Sequence, residues 1–210
     1  MKKYHKIQTV YKRDPDNRFK TLIEGDYSLP EFEYLKNNLW EFTEKVDGTN
    51  SRVMFDGKNI TFGGKTDKSQ IPSDLVNKLN SKFLPEMKLF EDDFKDGVCL
   101  YGEGYGAKIQ KGGGNYRPDQ SFVLFDVMIG DWWLQRKDIE SIAAAFGIRS
   151  VPIIGYGTLS DMVEKTRAGF DSQWGKFRAE GIVARPKIEL KSRSGSRIIT
   201  KIKYKDFQRK

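Results

Sequence analysis

Short β-like apolar runs recur along the chain, each bounded by Gly, Asp, Asn or Pro. WEFTEKV, SRVMFD, NITFGG, VCLYGEG, SFVLFDVMI, EGIVARP and RIITKIKY carry this strand pattern and are rich in Val, Ile, Phe and Tyr. DGTN and FDGKN supply turn chemistry around the second and third runs. Elsewhere the spacing becomes helical. PSDLVNKLNSKFLPEM starts beside Ser73, a candidate cap, while RKDIESIAAAFG and LSDMVEKTRAG each run to a glycine, a common helix stop. Strands and helices do not alternate one for one, so the pattern predicts an α+β fold with antiparallel sheets rather than a βαβ series. The loop KGGGNYRPDQ lacks the strand-to-helix setting of a phosphate-binding P-loop and reads as flexible. No repeat or low-complexity linker divides the sequence, and residues 1–210 read as a single domain.

Composition narrows the partners. Hydrophobic residues make up 38% of the chain, enough for a core, and the formal net charge is +8, which favours anionic partners such as nucleic acid or nucleotides. From Arg185 to the C-terminus, ten Lys and Arg face only Glu189 and Asp206, a segment suited to tracking phosphates. The lone cysteine, Cys99, lies in the apolar run GVCLY and reads as a buried structural thiol in a reducing, cytoplasmic setting. No apolar run is long enough to span a membrane, and no secretory signal is visible. With His5 the only histidine, catalysis falls to Lys, Arg, Asp, Glu or a bound metal.

One lysine stands in a setting that a surface lysine does not need. In EKVDGTN, Lys45 follows Glu44 and precedes Asp47, Gly48 and Asn50. A free lysine has a pKa near 10.4, so only about one amine in a thousand is neutral at pH 7. Neighbouring cations or a metal depress that value and allow the amine to attack without a histidine base. Alone, Lys-x-Asp-Gly is an ordinary turn after a strand. Four later runs add to it: LYGEGYG with Glu103, FVLFDV with Phe125 and Asp126, AEGIVARP with Glu180, and TKIKYKDF with Lys201 and Lys203 on one strand face. Each type has a task in nucleotidyl transfer. Lysines and Mg²⁺ neutralise a triphosphate, carboxylates hold the metal and a ribose hydroxyl, and an aromatic ring stacks on the base.

In this order the motifs resemble those of the covalent nucleotidyltransferase superfamily, which holds ATP-dependent DNA ligases, RNA ligases and mRNA capping enzymes. EKVDGTN, LYGEGYG, VLFDV, EGIVARP and IITKIKY match motifs I, III, IIIa, IV and V. The closest likeness is to the type 2 branch of the RNA ligases, as in phage T4, through Asn50, the extended GEGYGAKIQK and the basic RIITKIKYKDF. The resemblance covers roughly residues 20–210. It implies an ATP-grasp-like ligase domain of two packed antiparallel sheets with flanking helices and the nucleotide bound between them. It implies that Lys45 takes AMP from ATP as a phosphoramidate, with Mg²⁺ or Mn²⁺, and that the AMP passes to a 5′-phosphate before a 3′-hydroxyl seals the strand. By the same likeness, Glu44 lines the adenine pocket and Asn50 contacts phosphate or the RNA end. Glu103 binds ribose, Phe125 stacks on adenine with Asp126 behind it, Glu180 holds metal, and Lys201 and Lys203 grip the α-phosphate. Lys65 stands where the branch carries an arginine, so the phosphate or strand-end contact there loses its bidentate fork. No OB or helical domain is expected after motif V, which leaves a partner protein or the stretch Lys187 to Arg197 to clamp the RNA or DNA ends or nicks. The expected state is a monomer. A small DNA ligase and a non-catalytic strand-binding module of the same fold stand as alternatives.

Overall fold

The computed structural model describes residues 3–208, so Arg209 and Lys210 of the basic C-terminal segment lie outside the described residues. In chain order the elements are β1 (Gln8–Thr9), β2 (Tyr11–Arg13), β3 (Leu22–Tyr27), α1 (Pro30–Tyr34), β4 (Trp40–Glu44), β5 (Thr49–Phe55) and β6 (Ile60–Gly64). Next come α2 (Ser73–Phe83), α3 (Met87–Asp93), β7 (Val98–Gly106), β8 (Gln120–Ile129), β9 (Trp132–Trp133) and α4 (Arg136–Ala145). The chain ends with β10 (Arg149–Ser150), β11 (Ile153–Gly157), α5 (Leu159–Ala168), β12 (Gly181–Pro186) and β13 (Thr200–Lys203). The fold is α+β, as the strand-rich pattern predicts, and every predicted run forms its element.

The described residues divide into two compact units. One comprises residues 3–5 and Asp47–Val151, the other Lys6–Val46 and residues 152–208. The first unit holds a six-stranded sheet in the order β10-β8-β7-β5-β6, with β9 paired to β8. The second holds a five-stranded sheet in the order β1-β13-β12-β4-β11 and a β2–β3 ribbon. The pairs are antiparallel except β10 on β8 and β1 on β13, which run parallel. The expectation of purely antiparallel sheets is corrected by these two short edge strands.

Alternation decides which faces bury. In the first unit Val53, Phe55, Leu100, Leu124 and Val127 point from the sheet onto Leu75, Leu79 and Phe83 of α2 and Ile139 of α4. In the second, Trp40, Phe42, Ile182, Ala184 and Ile202 meet Leu159, Met162 and Val163 of α5. Ser73 does not cap α2: it is the first helical residue, and Pro72 precedes it with no side-chain cap. α5 has a complete capping box between Thr158 and Asp161 and ends on Gly169 at φ 73°. Among the described residues no helix is long and apolar enough to cross a membrane.

Candidate active site

In the second unit, sheet register gathers the basic cluster. β4 pairs with β12 so that Glu44 lies opposite Ile182, and the Lys45 amide continues the ladder to the Gly181 carbonyl at 2.9 Å. β12 pairs with β13 so that Gly181 lies opposite Lys203. Three strand ends therefore meet at one level. There Glu180 bridges both amines: its carboxylate lies 2.5 Å from Lys45 Nζ and 2.7 Å from Lys203 Nζ. Lys201 shares the Lys203 face, because Thr200 and Ile202 between and beside them are buried. Two lysine amines on one carboxylate place two cations side by side, a setting suited to an anion. Lys203 is itself fixed from behind, its amide donating to Asp206 at 3.1 Å.

Glu44 faces the other way. Strand alternation turns its side chain from the Lys45 face, and the buried carboxylate accepts from Ser172 Oγ at 2.5 Å and the Gln173 amide at 2.8 Å. These two bonds hold the Glu44 carboxylate in place within the second unit. Ser172 is a support that sequence reading missed, since a serine in DSQW gives no signal of its own.

The first unit carries the remaining motif residues on one sheet face. Asn50 and Glu103 are direct cross-strand neighbours on β5 and β7. Glu103 does not close a strand, as the glycines around it suggest, but sits inside nine-residue β7. On β8 the pairing shifts between Tyr101 and Gly102, opposing Tyr101 to Asp126 and Gly102 to Leu124. Phe125 is the extra residue of this β-bulge, which re-aims a side chain that strict alternation would place elsewhere. The core positions change parity there, from Phe122 and Leu124 to Val127, so Phe125 and Asp126 both leave the core face. Asp126 is buried and accepts from the Tyr4 hydroxyl at 2.5 Å, and the Tyr4 ring packs edge-on against Phe125 with centroids 5.0 Å apart. Tyr4, inside the basic N-terminal stretch, escaped the sequence reading.

Gly48 needs to be glycine because of close approach, not turn geometry. A Cβ there would strike the Gly104 carbonyl and the Glu103 side chain. Two side chains tie the loop after β7 to the motif I turn: Gln110 Nε2 donates to the Gly48 carbonyl at 3.0 Å, and the Tyr116 hydroxyl accepts from the Asp47 amide at 3.1 Å. Lys65 is exposed on the turn after β6. Trp132 is exposed, while Trp133 packs on Tyr101 at 5.2 Å. Cys99 is buried, and that burial pushes its thiol up to about 11, the inert structural thiol expected.

Among the described residues no group of three or more His, Cys, Asp or Glu gathers for a metal. Glu180 alone fits a magnesium-like ion, which keeps waters and binds through one or two carboxylates plus substrate phosphates.

The RNA ligase family model matches residues 38–204, and the chain belongs to that family. Among solved structures, a variant of Naegleria gruberi RNA ligase with ATP and Mn superposes with TM-score 0.68 at 18% identity, covering 97% of this chain and 56% of that one. A second such variant with ATP and Mn gives 0.65 at 19% identity over 83% of this chain and 52% of that one. The same ligase with PPi gives 0.65 at 19% identity over 96% and 57%. These identities establish the fold. The chain spans little more than half the length of these relatives. No curated protein matches the sequence.

Proposed function

We propose that the chain is an ATP-dependent RNA ligase of the type 2 branch, which joins a 5′-phosphate to a 3′-hydroxyl through a Lys45–AMP intermediate. The observation that carries this reading is the Lys45–Glu180–Lys203 cluster, in a chain of the RNA ligase family. Lys45 Nζ attacks the ATP α-phosphorus: the P–N bond forms, the bond to the β-phosphate oxygen breaks, and pyrophosphate leaves. A 5′-phosphate oxygen next displaces Lys45, and the strand becomes adenylylated. A 3′-hydroxyl then attacks that 5′-phosphorus, and AMP leaves. Lys201 and Lys203 neutralise charge that grows on the α-phosphate. Glu180 would hold the divalent ion, which supplies Lewis-acid stabilisation of the phosphates when bound.

Roles in the first unit follow motif order. Glu103 takes the ribose hydroxyl, Phe125 stacks on adenine with Asp126 held behind it by Tyr4, and Asn50 contacts the phosphate or the RNA end. The Asn50 carboxamide oxygen is closed to solvent and makes no hydrogen bond within the chain, which suits a group kept for a ligand. The buried thiol suits a reducing cytoplasm. The test is sealing of 5′-labelled strands with ATP and Mg²⁺, using nicked duplexes and single strands of RNA and DNA. ATP-dependent joining of RNA supports the proposal, and joining of DNA alone overturns the RNA assignment.

A further inference from the structure

Two neighbouring cavities in the first unit take no part in the site above. The first, of about 270 Å³, lies between α2, the start of β8 and the turn before β10. Lys78, Lys82, Tyr105, Arg117, Ser121 and Arg149 line it. Four cations that face one hollow suit an anion. Asp119 orients two of them: it accepts from Arg117 at 2.5 and 3.0 Å and from Lys78 at 3.2 Å. Arg117, the larger influence, and Lys78 hold the Asp119 carboxyl below its usual range, so this network is ionised at neutral pH. Lys82 is matched less well. Leu75, Leu79 and Phe83 bury one face of α2, and Lys78 and Lys82 follow its flank one turn apart. Glu86, a further turn on, reaches only 4.0 Å from the Lys82 amine. That amine is placed over Gly147, where a Cβ would lie 3.4 Å from it.

The second cavity, of about 370 Å³, shares Lys78 with the first. Asp74, Asn77, Ser81, Lys108 and Gln120 also line it. Gln120 is only 7% exposed. Its Nε2 donates to the Ala107 carbonyl at 3.1 Å, while its Oε1 is closed to solvent and has no partner among the described residues. Buried side-chain acceptors are in the great majority satisfied, so this oxygen marks a place for a donor from outside the chain.

The cavities also adjoin the motif face of this unit. Tyr105, on the wall of the first, follows Glu103 by two positions on the same face of β7, about 7 Å along the strand. A strand end held near Glu103 therefore has a short course along β7 into the cleft. RNA carries both groups that the cavities call for: a phosphodiester anion for the cations, and a ribose hydroxyl that can donate to Gln120. We infer that the cleft beside α2 is a second seat for the RNA strand, with a phosphate at Lys82, Lys78 and Arg117 and a neighbouring ribose hydroxyl at Gln120. RNA as the occupant rests on the ligase reading above. The phosphate contact positions the strand, and the hydroxyl contact separates RNA from DNA.

The test is binding of a 5′-phosphorylated single-stranded RNA without ATP, followed by fluorescence anisotropy over a range of salt concentrations. Lys82→Ala removes one amine from a helix flank, and thermal unfolding checks that the variant is folded. The seat predicts roughly tenfold weaker binding, the size of one charge-assisted contact, and a salt slope smaller by about 0.7, the share of one phosphate on a single strand. Lys82→Arg should restore both. Single 2′-deoxy substitutions walked along the RNA should reveal a position where wild-type binding weakens, and Gln120→Leu should lose that sensitivity. An unchanged slope in Lys82→Ala overturns the seat even if the protein ligates RNA. Absence of any 2′-deoxy-sensitive position in wild type overturns it whether or not Gln120→Leu folds. A raised KM for ATP in self-adenylylation of Lys82→Ala, with RNA binding unchanged, gives the cleft to free nucleotide and overturns it as well. A wild type that takes up no AMP yet binds RNA through Lys82 retains the seat and discards the ligase reading instead.

Discussion

At the residue scale, the site turns on Glu180 and the two amines it holds. The Glu180 carboxylate lies 2.5 Å from Lys45 Nζ, the amine that must attack. Lys203 shares that carboxylate and carries a second positive charge to the same place. Removing it takes away a cation aimed at the α-phosphate. Lys203→Ala is therefore expected to slow formation of the enzyme–AMP adduct by about 10²-fold, the usual cost of one donor at a site of growing charge. Single-turnover labelling at saturating ATP checks this. Gly48 gives a second expectation, because its neighbours on β7 leave no space for a methyl group. Gly48→Ala should cost roughly 1–3 kcal/mol through forced backbone movement. Thermal unfolding of the variant beside wild type measures it. The grouping of Lys45, Glu180 and Lys203 was legible in the sequence because each sits in a run of distinctive order. Arg52 was not, since one arginine in a strand has the look of a solvent-facing residue, yet it is fully buried and held by the Gly64 carbonyl and the Asp67 carboxylate.

At the element scale, strand existence was readable and strand detail was not. The seven runs rich in β-branched and aromatic residues all became strands, because such side chains fit a pleated, buried surface. The two-residue β1 and β10 carry too few residues to show a period, and β1 finds its partner near the opposite end of the chain, which no local signal encodes. The bulge at Phe125 was equally hidden. FVLFDV reads as one continuous apolar strand, and the extra residue appears only when β8 is set against β7. Glu103 was misplaced at a strand end for a related reason. Its flanking glycines punctuate a sequence, but here they are needed for packing within β7, where a Cβ on Gly104 would strike Leu75. Helix ends follow local chemistry more closely. Thr158→Ala, which opens the α5 capping box, is expected to cost about 1 kcal/mol. Hydrogen bonds from the Thr158 amide and hydroxyl hold the Asp161 carboxyl below its usual range. The unfolded chain thus binds that proton more readily, and the contribution is present above about pH 4 and lost as pH falls further. The stability gap between wild type and Asp161→Ala should accordingly narrow from pH 6 to pH 3, followed by denaturant unfolding at each pH.

At the scale of the whole molecule, two compact units share one chain that crosses between them three times within the described residues. Each unit brings its own sheet and core, and each carries a coherent part of the motif set on one sheet face. Sequence order alone could not reveal this division, because Val46 and Asp47 belong to different units while sitting side by side in motif I. The net charge of +8 predicts that association with RNA weakens steeply with salt. Titration of a 5′-phosphorylated RNA over a range of salt concentrations would give the number of phosphates engaged from its slope.

The central claim is that Lys45 becomes covalently joined to AMP. It is tested most directly by incubating wild type and Lys45→Ala with α-³²P-ATP and Mg²⁺, without nucleic acid, and following label on the protein. The account predicts acid-labile label on wild type, released when pyrophosphate is added, and none on Lys45→Ala. Label on both proteins, or on neither, would contradict it.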